Sequence, residues 1–122
     1  MLTRKPNTLN IKTEALMGRI VRLIKYLRNK HSVEPSWISQ LSRSGTSIGA
    51  NITESHNAQS RADFVHKLSI ALKEADETVY WIDIIHDSGG LTDAEWQSIR
   101  SDTQEVCKLL VSIIKKSKEN GI

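Results

Sequence analysis

Apolar side chains recur along this 122-residue chain at steps of three and four, the period of an amphipathic helix rather than the alternation of a strand. Between residues 8 and 30, Leu9, Leu16, Ile20, Leu23, Ile24 and Leu27 share one face, and Gly18 lies off it. The pattern breaks at "NKHSVEPSW". Proline disfavours helix in the residue before it and fits a first helical turn, so a second helix is expected over about 35–57. A third is expected over 60–87, with Ser60 as N-cap and Asp63 beside the positive end of the helix dipole. Gly89 and Gly90 end it, and Thr92-Asp93-Ala94-Glu95 forms a capping box that opens a fourth helix over 92–118. Four amphipathic helices with short connections predict an all-α, up-down-up-down antiparallel four-helix bundle, with residues 1–122 as one domain.

The stretch "SGTSIGAN", residues 44–51, resembles a phosphate-binding loop but lacks the Lys-Ser/Thr ending and the preceding strand that such loops need. Continued from Pro35, the helical register places Ile38, Leu41, Gly45, Ile48 and Ile52 on a heptad seam, so the glycines lie inside a helix. Each costs about 1 kcal/mol in helix propensity relative to alanine. Close approach of a neighbouring backbone is the expected compensation.

Composition narrows the class. The hydrophobic fraction is 39% and the charged fraction 25%, ordinary for a globular protein, and no apolar run approaches the roughly 20 residues of a membrane span. The first residues lack the apolar stretch of a signal peptide, so a cytoplasmic location is the expectation. Cys107 is the single cysteine, which excludes an intrachain disulfide, and its place in an apolar pattern marks it as a packing residue.

The net charge of +3 is unevenly spread. Segment 1–30 holds eight Lys/Arg against one Glu, 31–107 holds five against twelve acids, and 108–122 holds four against one. On a helical wheel Lys12, Arg19, Arg22 and Lys30, with Tyr26, cluster beside the apolar stripe of the first helix. Such a stripe can neutralise phosphates, and Arg43 and Arg61 extend the set; the competing reading is a solvated face. With aromatic content of 5%, stacking platforms for unpaired bases are few, and backbone binding is expected instead. In the third helix Ile70, Trp81 and Ile84 lie away from the main apolar face, a second strip that suits an oligomer interface or partial coverage by loops. Trp37 and Trp96 are read as core at the bundle ends.

Catalytic and metal patterns are weak. Asp83 and His86 have the carboxylate-x-x-His spacing of di-iron bundles, yet a second copy and two further carboxylates are missing. Glu54, Ser55 and His56 point about 100° apart on successive helical positions and make no triad. Asn51 and Glu54 either bond across the bundle or face a subunit boundary. No cofactor or metal is expected, and no enzymatic activity.

The run "SGTSIGANITESHNAQSRADFVHKLSIALKEADETVYWIDII" resembles the bacterial four-helix-bundle family first noticed as products of intervening sequences in large-subunit ribosomal RNA genes. Also related is the accessory variability determinant of diversity-generating retroelements. Arg43, Ser44, Ile48, Asn51, Ile52 and Glu54, then Ser60, Phe64, Leu68, Ala71, Leu72 and Glu74, carry the likeness over about residues 37–86. Helices 1 and 4 agree in pattern only, and Thr53-Glu54-Ser55-His56 departs from the Ala-Glu-Gly or Ala-Glu-Ala of many members. The resemblance implies a ring-shaped homopentamer, nucleic-acid binding through a basic surface, and, in the retroelement branch, a reverse transcriptase as partner. It implies no catalytic residues.

Overall fold

Helices α1 (Thr8–Lys30), α2 (Pro35–Ser55), α3 (Arg61–Asp87) and α4 (Asp93–Asn120) carry the chain. The computed structural model describes residues 7–120, and no strand occurs among them. Local side chains set the helix starts: Asn7 accepts from the Asn10 N–H at 2.8 Å and Ser60 from the Asp63 N–H at 3.0 Å. At α4, Thr92 Oγ1 accepts from the Glu95 N–H at 3.1 Å while Glu95 Oε1 accepts from the Thr92 N–H at 2.9 Å, the reciprocal bonds of a capping box. The α2 helix closes at Ser55 rather than 57, because its last turn tightens into i→i+3 bonds, His56 N–H to Thr53 O and Asn57 N–H to Glu54 O. Left-handed residues stop two helices, His31 (φ 60°) after α1 and Gly89 (φ 89°) after α3.

Each helix packs against two others: α1 and α3 both touch α2 and α4, and the diagonal pairs do not approach. Polar contacts cross the α1–α4 and α2–α3 interfaces. On α1 and α4 these are Lys12 with Glu105, Arg19 with Asp102 and Tyr26 with Glu95. On α2 and α3 they are Arg43 with Glu74 and Glu54 with Lys67. One core cluster runs through all four helices, including fully buried Ile20, Leu41, Leu68, Ile82 and Leu110, and Trp37 and Trp96 are half-buried against it.

The two glycines of α2 lie within the helix, and what approaches them is side chain rather than the backbone expected from sequence. A Cβ on Gly45 would meet Ile20 Cγ2 at 2.8 Å, and one on Gly49 would meet Met17 Cγ and Sδ at 2.8 Å. The missing side chains are thus space that α1 fills. Beside them Ser44 and Thr78, both buried, hydrogen-bond to each other at 3.0 Å across the α2–α3 interface. Each hydroxyl also bonds a carbonyl of its own helix, Thr78 to Glu74 O at 2.7 Å and Ser44 to Leu41 O at 3.4 Å, so the pair joins α2 to α3 with both buried groups satisfied.

Candidate nucleic-acid interface

Basic residues of α1 meet acidic residues of α4 along one seam. Lys12 Nζ lies 3.4 Å from Glu105 Oε1, and Arg19 Nη1 lies 2.6 Å from Asp102 Oδ2. Arg19 also donates to the Ser98 carbonyl at 3.3 Å and to Ser98 Oγ at 3.0 Å. Further along, the Tyr26 hydroxyl donates to Glu95 Oε2 at 2.6 Å, and Lys30 donates to the Gly90 carbonyl at 2.7 Å with its ammonium 5.0 Å from the Tyr26 ring centroid. Most of the stripe read from the α1 helical wheel is thus spent on bonds within the molecule.

Arg43 and Arg61 lie elsewhere. Arg43 spans the α2–α3 seam, donating to Gln40, to Glu74 at 3.3 Å and to Glu77. Arg61 donates to the Ser117 carbonyl at 3.4 Å, at the far end of α4. Of the six candidates, Arg22 alone has no hydrogen-bonded or ion-paired partner among the described residues. Two exposed neighbours share that state, Lys25 and Arg28, on the following turns of α1. Sequence reasoning passed over both, since nothing local distinguishes a cation with an acid across the interface from one without.

Between α1 and α4 the seam opens into a pocket of about 240 Å3. Leu23, Leu91 and Ile99 make its apolar floor, and Arg19, Arg22, Tyr26 and Glu95 surround it. Glu95 is held below the ordinary carboxyl pKa first by the Tyr26 hydroxyl bond and then by the Thr92 N–H. It is thus an ionised acceptor at neutral pH.

The remaining candidates have structural roles. Partial burial raises the Asp83 pKa, but bonds from Arg100 and Trp96 and the Arg100 charge outweigh it, and the carboxyl falls below its usual value. Asp83 accepts from Trp96 Nε1 at 2.7 Å and from Arg100 Nε at 2.9 Å, while His86 stacks on Trp96 and lies 2.7 Å from Asp93. Among the described residues no group of three or more His, Cys, Asp or Glu is placed to hold a metal. Glu54 reaches across to Lys67 at 2.9 Å, whereas Asn51 donates back to Ser47 O of its own helix at 2.9 Å. Ile70, Trp81 and Ile84 are all half-buried; Trp81 packs on the core and its Nε1 donates to Glu77 at 3.4 Å.

The fold and the seam define an all-α protein of four helices, charged along its interfaces. Within that class the chain belongs to the 23S rRNA-intervening sequence protein family, whose model it matches over residues 8–112. It is similar to a solved structure from Bacteroides thetaiotaomicron VPI-5482, described as a protein with unknown function from the S23 ribosomal protein family. Identity is 48%, the TM-score is 0.85, and the match covers 88% of this chain and 99% of the other. Comparison with curated proteins gave no match. No described helix is long and apolar enough to cross a membrane.

Proposed function

We propose that this chain is a non-enzymatic, up-down-up-down antiparallel four-helix bundle of the cytoplasm that binds nucleic-acid backbones electrostatically. The carrying observation is the row Arg22, Lys25 and Arg28, exposed on α1 with no acid partner among the described residues. Unpaired cations bind phosphate without first giving up an internal bond, so this row leads and Lys12, Arg19 and Lys30 support it from the seam. Arg43 and Arg61 are peripheral. A homopentameric ring, as the family resemblance implies, would repeat the row and add weak contacts by avidity. Ile11 and Val21, exposed on α1, and the half-buried strip Ile70, Trp81 and Ile84 are among the apolar surfaces available for assembly or for a partner enzyme.

The test is a titration of structured RNA at two salt concentrations. Binding should weaken steeply with salt, and reversing Arg22, Lys25 and Arg28 to Glu should abolish it while helicity is kept. On a duplex, every phosphate that is no longer neutralised lowers the log–log salt slope by about 0.9. Unchanged affinity in the triple variant would mean that the row is only a solvated face. Light scattering tests assembly, and a monomeric mass would reject the ring.

A further inference from the structure

The pocket between α1 and α4 adjoins the row Arg22, Lys25 and Arg28, which has no ion-paired partner among the described residues, and the two share Arg22. Its floor is aliphatic, one wall is an aromatic ring, and its rim holds the Arg22 guanidinium and the Glu95 carboxylate. A phosphate backbone alone has no use for such a floor. At about 240 Å3 the space is below the roughly 300–1,000 Å3 of pockets for drug-sized ligands, so it suits a single planar ring system. We propose that this pocket receives one unpaired nucleobase of a single-stranded nucleic acid, with Arg22 on the adjoining phosphate, Tyr26 against the base and Glu95 accepting from its amino group.

The walls are held in place before any ligand arrives. Tyr26 is fixed by its 2.6 Å bond to Glu95 and by the Lys30 ammonium near its ring, and Glu95 is itself fixed by the Thr92 capping box. Arg19 is tied to Asp102 and Ser98, which leaves Arg22 as the cation able to move onto a phosphate. An ionised carboxylate offers about four lone-pair positions and no donor. Two are taken here, by the Thr92 N–H and the Tyr26 O–H. What remains can only accept, so the pocket favours bases with an exocyclic amino group, such as cytosine, over uracil. Near a polyanion the same carboxylate is tolerable because the Lys30 charge acts on it.

This inference rests on the backbone-binding reading and deepens it from any nucleic acid to an unstacked strand. The experiment compares four labelled probes by fluorescence anisotropy at low salt: oligocytidylate, oligouridylate, an abasic strand of equal length and an RNA duplex. The wild-type protein should bind oligocytidylate about tenfold more tightly than the abasic strand, the scale of one base–aromatic stack. Tyr26→Ala should erase that ratio and leave duplex binding unchanged. Glu95→Gln, which keeps a capping-box side chain, should remove the preference for oligocytidylate over oligouridylate. Equal binding of base-bearing and abasic strands by the wild type, or an unchanged ratio in both variants, overturns the base pocket while the backbone reading stands. Failure of all four probes to bind removes the backbone reading and this inference with it.

Discussion

Ile20 is fully buried, and its Cγ2 methyl would sit 2.8 Å from a Cβ on Gly45. The equivalent neighbour of Gly49 is Met17, a half-buried and unbranched side chain that can turn aside. Alanine gains up to about 1 kcal/mol of helix propensity at either site. Gly49→Ala should therefore be neutral or stabilising, whereas Gly45→Ala should destabilise by about 1 kcal/mol net, since overpacking a tight core costs about 1–3 kcal/mol. Urea midpoints of the two variants check this, and equal shifts would mean that the core yields at Gly45. At Cys107, burial and then the nearby Asp76 charge push the thiol pKa up to about 11. A thiol so placed is almost entirely protonated at pH 8, so the folded protein should react with iodoacetamide far more slowly than the urea-unfolded chain. Comparable rates would contradict the packing role read from its position in the sequence.

At the scale of elements, the α1–α4 seam sets how much positive charge α1 presents. Exposed ion pairs contribute little to stability, typically about 0–1 kcal/mol, so Lys12–Glu105 and Arg19–Asp102 can be broken without unfolding the chain. Asp102→Asn with Glu105→Gln should release both cations, tighten nucleic-acid binding and steepen its salt slope by up to about 1.8 if both reach phosphate. No change would show that the seam residues stay clear of the ligand. The start of α4 is a separate matter. Removing the Thr92 hydroxyl should cost about 1 kcal/mol, measured by denaturation of Thr92→Ala, and should also loosen Glu95 beside the pocket. Both the capping box and the Ser60 cap were legible in the sequence because a cap bonds only three residues away. The seam was not: its partners stand 83 residues apart for Arg19 and Asp102, and helical periodicity places residues on faces without saying which faces meet.

For the molecule as a whole, acid should act through two carboxyls that join elements. Asp83 links α3 to α4 through Arg100 and Trp96, and Glu95 links α4 to α1 through Tyr26. Each titrates lower when folded than when unfolded, so the unfolded chain binds more protons as pH falls. Their contribution is complete above the ordinary carboxylate range near pH 4 and is lost as pH falls through the folded values. Urea midpoints should accordingly drop between about pH 5 and 3, and Asp83→Asn should start lower and fall less. A midpoint independent of pH in that window would remove these two groups from the account.

Periodicity, proline and glycine placement, and caps determined four helices and their approximate limits, because each is written within a few neighbouring residues. The thin middle of α2 was visible as "SGTSIGAN", yet only packing showed that Ile20 and Met17 of α1 occupy the space. The basic character of α1 was equally plain from composition. Which cations remain free, and the pocket that joins Arg22 and Tyr26 to Leu91, Glu95 and Ile99, was decided by tertiary structure alone. The reason is physical: a charge is neutralised and a pocket closed by whatever lies opposite in space, and in this chain that is some seventy to eighty residues away.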